Sequence, residues 1–464
     1  LLDAVPSGAH RAALEACAQV RVTTEPLLAT LLGVPDAREL FDWLRGLSVM
    51  ESGPRGLYPH DLVRDALGAE LRWRHPDRYA EIHRRAGGYY QQQFTGADPA
   101  AQQSVLSDFA YLHRDSEVLG PFLNALSPTS ADLGDLAVLP AREADLPAVR
   151  ELVARYEGGE AAAILDHWLG YAPQALAVAR TSAGQVAGCC LVLTLDATVD
   201  AGPDPAVRQA LAHLRRHAPL RDQERASMVR FWLSTRDYQG VSPVATLITL
   251  YLVRHYLTTP DLAVSLQSYA EPEQWAEVCQ YADFVRVADA DFTVGGHRYG
   301  VYAHDWRAVP PLRWLGVLGA RETAEQPLAV AGAQPAEVPR VLDFDEFGQA
   351  VRAALPDIGR PDRLRTSPLV RSRLVIARLR DASGPARTPT GQVVQELLRE
   401  AVATVEASAR DRRGYRALHH TYLQPAGSQQ AAAELLDLPM STFRRHLAAG
   451  VERVTEILWE RELS

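Results

Sequence analysis

Ser428-Gln429-Gln430-Ala431-Ala432-Ala433-Glu434-Leu435-Leu436-Asp437-Leu438-Pro439-Met440-Ser441-Thr442-Phe443-Arg444-Arg445-His446-Leu447 is the stretch whose spacing is hardest to produce by accident. It predicts two helices separated by a short turn at Asp437-Leu438-Pro439. Where the second helix crosses the first a small residue is needed, and Ala433 supplies it; Leu436, Leu438 and Phe443 have the spacing that fills the wedge between them. The turn of such a pair favours glycine, because its φ is positive. Here Asp437 stands there, and aspartate tolerates that region better than most residues. At 3.6 residues per turn, Phe443, Leu447, Val451, Val454 and Leu458 fall on one stripe. Ser441, Arg445, Ala448 and Glu452 then lie near the opposite face, with Thr442 and Arg444 flanking it.

This is helix-turn-helix spacing, and the outward face has the chemistry of a major-groove reader. Ser441 and Ala448 are small enough for close approach, while Arg444 and Arg445 can reach guanine edges or phosphates. Just upstream, Arg410, Arg412, Arg413 and Arg416 outnumber the single Asp411 between 410 and 420, a local excess suited to neutralising phosphates. Over about residues 410 to 460 the unit resembles the region-four helix-turn-helix of sigma factors and the C-terminal DNA-binding domains of bacterial response regulators. That resemblance implies double-stranded DNA as partner. A single motif of this kind binds weakly, so pairing of copies on two half-sites is expected.

Composition bounds the rest. The chain has 464 residues, 48 basic against 57 acidic, and every basic residue is arginine. Without lysine, a P-loop, a Schiff base and a lysine general base are all excluded. A net charge of −9 argues against a protein that coats nucleic acid over its whole surface, though not against a local basic patch. Four cysteines without CxxC spacing make neither a disulfide framework nor a zinc site and fit a reducing, cytoplasmic setting. No apolar run approaches the ~18 residues of a membrane span, and the amino-terminal stretch lacks the layout of a signal peptide.

Toward the amino end, helices are expected at 9–20, 24–32 and 36–47, then the alternating Ser48-Val49-Met50-Glu51 and a Gly-Pro-Arg-Gly turn at 53–56. Helices followed by a tight two-strand wing describe a winged helix over 1–95. The next helix starts at His60-Asp61, with Leu62, Ala66 and Leu67 expected on one face and Asp61 complementing the helix N-terminus. The segment resembles the winged helix that follows the nucleotide-binding domain of STAND-type ATPases, whose His-Asp pair touches nucleotide phosphates; His60 and Asp61 match that pair. The resemblance implies either part of a longer regulator or a lineage without its ATPase core, because no P-loop lysine is present. A capping role for the pair is the simpler expectation.

Residues 96–135 read as a polar helical connector. A mixed α/β domain is expected over 136–310: strand 136–139, helix 145–156, strands 175–179 and 186–195, a helical excursion at 204–216, strand 228–234, helix 244–257, strand 263–267, helix 272–282 and two strands ending near Asp305. Between strand and helix lies Thr235-Arg236-Asp237-Tyr238-Gln239-Gly240-Val241-Ser242-Pro243. The order resembles the acetyltransferase fold of the GNAT superfamily, whose Q/R-x-x-G-x-G/A turn offers backbone N–H groups to the CoA pyrophosphate. Asp237, Gly240 and Ser242 occupy the matching positions, so an acyl-CoA-like ligand would meet Gly240, Val241 and Ser242. Yet Asp237 repels an anion and Pro243 removes a donor. The family's Tyr-x-x-x-Gly-Phe run aligns with Cys279 to Phe284, where Cys279 replaces the tyrosine proton donor and Asp283 the glycine. The implied picture is a degenerate domain kept as sensor or scaffold, with no catalytic residue assigned and room for a small-molecule effector.

A linker is expected over 311–340, then helices at 343–355, 367–379 and 390–410, giving a helical domain over 341–464. His213 and His217 share a helix face but lack the glutamate of HExxH, so they are expected to be a solvated pair and no metal site is assigned. Gly240 to Val244 lacks the closing glycine of a nucleophile elbow. The expected fold class is multidomain α and α/β. The expected function is a DNA-binding transcription regulator, the competing one an acyl-CoA-dependent N-acyltransferase with a C-terminal helix-turn-helix.

Overall fold

The computed structural model describes residues 5–126, 135–196, 198–221, 223–323, 342–375, 378, 390–408 and 410–463. Three short helices open the chain: α1 (Gly8–Cys17), α2 (Glu25–Leu32) and α3 (Arg38–Arg45). Each start has a local cause where a cap exists: Ser7 Oγ accepts from the His10 amide and Thr24 Oγ1 from that of Leu27. A hairpin follows, β1 (Met50–Gly53) and β2 (Gly56–Pro59), antiparallel with Met50 opposite Pro59. Gly56 sits at φ +143°, and a Cβ there would lie 2.4 Å from Thr23 O, so only glycine fits this turn.

Helix α4 (Asp61–Arg74) starts where expected but turns a different face inward. Leu67, Gly68, Leu71 and the guanidinium-bearing Arg64 are buried; Leu62 is 86% exposed and Ala66 also faces out. Arg64 reaches in to donate to Pro59 O at 2.9 Å and pairs with Asp61 at 2.6 Å, and the buried face lies more than about a third of the circumference from the face an apolar count selects. Helices α5 (Pro76–Gly96), α6 (Pro99–Ala110) and α7 (Gly120–Leu123) come next. Composition makes 99–110 part of a polar connector, yet α6 buries Leu106 and Phe109 and forms part of a packed core with Tyr111, Leu123 and Leu250.

An eight-stranded mixed sheet then forms from β3 (Leu136–Pro140), β4 (Leu176–Thr181), β5 (Val186–Leu195), β6 (Arg225–Ser234), β7 (Leu262–Tyr269), β8 (Val285–Arg286), β9 (Phe292–Val294) and β10 (His297–Asp305). Its order is β3-β4-β5-β6-β7-β10-β8, with β9 on β10. β4 and β5 are nearly continuous apolar runs buried on both sides, as a covered sheet requires. The interspersed helices are α8 (Leu146–Tyr171), α9 (Pro205–His217), α10 (Pro243–Thr258) and α11 (Ala276–Tyr281). α8 is longer than the sequence suggests because it resumes after a break at Gly158, φ +88°. The pairing of β5 with β6 slips between Leu191 and Val192, leaving Arg230 as the extra residue of a bulge. Residues 311–323, a linker by composition, form helix α12 (Pro311–Thr323), which buries Trp314, Leu315 and Leu318. Residues 324–340 of that linker lie outside the described residues.

The chain divides into two units. Among the described residues the first takes 5–209, 226–304 and 310–323; the second takes 210–225, 305–309 and 342–463. The second is helical: the tail of α9, then α13 (Phe344–Ala354), α14 (Pro361–Leu364), α15 (Thr390–Ala407), α16 (Arg412–Leu418), α17 (Gln429–Leu435) and α18 (Met440–Leu463). Where the sequence predicts a helix at 367–379, a 3-10 turn at Pro368–Arg371 occupies the first residues. Glu462, near the end of α18, is buried and accepts from the amides of Arg373 and Leu374 at 2.9 Å each. No helix among the described residues is long and apolar enough to cross a membrane.

Two buried histidines set an acid limit for the first unit. His113 is buried, its ring 5.6 Å from that of His83, and burial pushes its pKa from 6.5 down to about 3. The unfolded chain therefore binds a proton that the folded one refuses, so this stabilisation is complete above pH 6.5 and is lost as pH falls toward 3. Glu322, 4.0 Å away, is pushed up to about 7 by burial and works in the opposite sense. The stability of wild type relative to His113→Phe should accordingly fall between pH 6.5 and 3 in chemical denaturation. A constant difference would contradict a neutral, desolvated His113.

Candidate functional site

The second unit gives the C-terminal helix pair the geometry its sequence implies. Ser428 Oγ caps α17 by accepting from the Ala431 amide at 3.1 Å, and Ala432 and Ala433 are buried beneath the following turn. Asp437 adopts φ +51°, so the strained turn is kept without glycine. Leu438 N donates to Ala433 O at 3.0 Å, which satisfies a carbonyl at the end of α17. Pro439 then leads into α18, whose Phe443 is fully buried with Leu447, Val451, Val454 and Leu458.

The opposite face is open. Ser441, Arg444, Arg445, Ala448 and Glu452 are exposed and Thr442 is half-buried. Arg412, Arg413 and Arg416 on α16 are exposed as well. The arginines of the two helices form one field: besides burial, Arg445 and Arg413 together depress the pKa of His446 below its ordinary value. Between Met440 and Val451 there are two arginines and no acid, whereas 452–463 carries four glutamates and two arginines. The positive field is therefore confined to the first turns of α18 and the adjoining α16. Downstream, Arg453 is occupied by Glu456 at 2.8 Å and Asp411 at 3.6 Å.

What the sequence does not show is the device that brings α16 and α18 so close. A Cβ on Gly450 would lie 2.8 Å from Gly414 O, and one on Gly414 would lie 3.0 Å from Gly450 Cα. The helices cross backbone to backbone, and two glycines 36 residues apart give no periodic signal.

The central turn is well built and spends several of its donors on itself. Gly240 N donates to Asp237 O at 2.7 Å, while the amides of Arg236 and Asp237 go to Ser234 Oγ at 3.3 and 3.0 Å. Ser242 is buried and its Oγ accepts from Ala245 N at 3.2 Å, capping α10; this hydroxyl is a helix cap, not a nucleophile. A Cβ on Gly240 would meet Asp237 O at 2.9 Å, so the glycine is required by the turn itself. Val241 is exposed and Pro243 has no N–H to offer. Cys279 is buried and its thiol is pushed up to about 12, out of range for a proton donor in neutral solution. Asp283 holds φ +58° where the resemblance expects glycine.

His60 is exposed at the start of α4, makes no side-chain cap, and has its Nδ1 3.0 Å from Glu51 Oε1. His213 is buried rather than solvated, with its ring 5.0 Å from that of His217, which in turn lies 3.7 Å from Asp343.

A charged cluster inside the first unit has no counterpart among the sequence motifs. Arg230, at the β6 bulge, has a fully buried side chain whose Nε donates to Asp204 Oδ2 at 2.9 Å and whose Nη1 lies 3.8 Å from Glu157 Oε2. Asp204 also accepts from Trp168 Nε1 at 2.8 Å, and Tyr238, at φ +54°, has its hydroxyl 3.2 Å from Glu157 Oε1. An arginine in an apolar strand has no sequence signature of its partners. No protein-family model matches this chain, and no curated protein matches it.

Proposed function

We propose that this protein is a DNA-binding transcription regulator that reads duplex DNA with the first turns of α18 and positions itself on the backbone through α16. The observation that carries this reading is the exposed arginine face, Arg444 and Arg445 with Arg412, Arg413 and Arg416, set against a buried opposite stripe. Five side chains that neutralise phosphates release counterions, so affinity should fall with salt at a log–log slope of about −4 to −5. Ser441, Thr442 and Ala448 leave room for base edges between them. On this reading the hairpin region at 1–95 is a winged helix of STAND type and the central sheet a degenerate acetyltransferase-like scaffold, with copies pairing on two half-sites. Selection of bound genomic fragments at about 50 and about 200 mM salt tests it: a recurrent sequence enriched at both, with total binding reduced at the higher, is expected. Recovery of unenriched fragments at both would overturn it.

One observation favours a second reading, an acyl-CoA-dependent N-acyltransferase: the strand–glycine turn–helix unit from β6 to α10 is fully formed. Against it stand the Gly240 amide, already bound to Asp237 O, the carboxylate of Asp237 and the neutral thiol of Cys279. Turnover of acetyl-CoA with mixed amines, abolished by Gly240→Glu, would favour the enzyme.

A further inference from the structure

The first unit contains a partly open cavity of about 160 Å³ that neither the DNA-reading helix nor the central turn uses. Its walls come from α6 and the segment after it, α10, the ends of β6 and β7, α11 and α12. Three indoles, Trp232, Trp275 and Trp314, line it. Trp275 makes an edge-on contact with Trp232 at 5.0 Å and a tilted one with Phe122 at 5.0 Å, so the rings are held by one another. Protein interiors fill their space to near crystal density, so a cavity of this size walled by aromatic and aliphatic side chains has room and the lining for a small apolar ligand.

The lining has no arginine, aspartate or glutamate. Its ionisable groups are held neutral by burial, His113 down to about 3 and Cys279 up to about 12. A carboxylate, phosphate or nucleotide entering here would lose its hydration and meet no cation, which excludes charged ligands. The polar wall is already satisfied where it could compete: Gln267 donates to Tyr256 Oη and accepts from Tyr269 Oη. His113 is different. It is 2% exposed, neither ring nitrogen has a hydrogen-bond partner among the described residues, and Glu322 Oε2 at 4.0 Å is beyond reach; both nitrogens are covered by neighbouring atoms, so a ligand in the cavity meets one as the ring turns toward it. A neutral imidazole offers one donor and one acceptor, and leaving both unmet inside a protein is costly.

We propose that this cavity binds an uncharged, largely aromatic or alicyclic small molecule carrying a single hydroxyl or carbonyl group, which hydrogen-bonds to His113. The site lies wholly in the first unit and does not depend on the DNA-reading function. It also differs from a CoA site, because the molecule it selects has no phosphate.

Titration of the full chain with the uncharged fluorophore N-phenyl-1-naphthylamine, read by its emission and by quenching of tryptophan through energy transfer, tests the proposal. Saturable one-site binding with a Kd of about 10 µM is expected. Ala110→Phe and Ala282→Phe, each adding bulk at the cavity wall, should weaken it at least tenfold with the thermal transition retained. Octanoate and acetyl-CoA should not compete. His113→Phe should weaken 2-naphthol about tenfold, the loss of one hydrogen bond, and leave naphthalene unchanged. Absence of saturable binding by wild type, unaltered binding by whichever of the two alanine variants folds, displacement by octanoate or acetyl-CoA, or equal loss of 2-naphthol and naphthalene would each overturn it.

Discussion

Gly450→Val should cost the second unit about 3 kcal/mol and open the crossing of α16 and α18. The first atom added, a Cβ, would stand 2.8 Å from Gly414 O and 3.0 Å from Leu418 Cδ1. The nearest obstacle is backbone, which cannot rotate away as a side chain does. The helices must therefore separate, and the core around Leu418, Leu447 and Val451 opens with them. Helix propensity alone predicts the reverse sign, because glycine is the poorer helix former by about 1 kcal/mol relative to alanine. A control separates the two effects. Gly88, within α5, has open space for at least 4 Å around the position a Cβ would take, so Gly88→Ala should stabilise slightly. Hydrogen exchange on the full chain checks both: protection in 412–418 and 443–458 should collapse in Gly450→Val alone. Equal protection in wild type and Gly450→Val would contradict the crossing.

Arg230→Ala should be comparably damaging to the first unit, at about 3–5 kcal/mol. Its guanidinium lies over the rings of Phe231 and Phe292, with Cζ 4.1 and 5.0 Å from their centroids, and it faces both Asp204 and Glu157. Asp204 cannot turn to water: it is fully buried, accepts from Trp168 and caps α9 through the Ala206 amide at 3.0 Å. Burial already raises the Glu157 pKa, and with the arginine gone neither its carboxylate nor that of Asp204 would face a guanidinium. The sign with pH follows. An acid whose folded pKa is raised stabilises the fold when protonated and loses that contribution as pH rises, so through Glu157 the variant should be less impaired at about pH 5 than at about pH 7. Denaturant midpoints at the two pH values check this; a uniform loss would point to lost packing alone.

The C-terminal pair is legible in the sequence because its determinants are local: a 3.6-residue stripe, a serine cap and a residue able to take positive φ all lie within 31 residues. Aspartate at 437 and 283 reads as a departure from glycine, yet both positions keep the left-handed backbone that glycine would supply. Strand β5 is legible to the residue, since a continuous apolar run bounded by a turn can hardly be anything else. Elsewhere a nonlocal contact outweighs composition. Arg230 points inward because the carboxylates of Asp204 and Glu157, far away along the chain, receive it, whereas Arg64 turns in over a carbonyl of the preceding strand, Pro59 O. α6 joins a core although its first turns are Ala-Ala-Gln-Gln, because only Leu106 and Phe109 need to face in. α12 is hidden by the Ala, Pro and Gly that follow it. The Gly414–Gly450 crossing and the aromatic cavity exist only once the helices meet, and no spacing in the sequence announces either.

The most direct test of the DNA-reading helix is fluorescence anisotropy of the selected duplex with wild type and with Arg444→Ala/Arg445→Ala at about 100 mM salt. Both side chains are exposed and the stripe behind them is separate, so the fold should be kept. Affinity should fall roughly 100-fold or more and discrimination against a scrambled duplex should shrink with it. Unchanged affinity in a folded double variant would show that this face does not meet DNA.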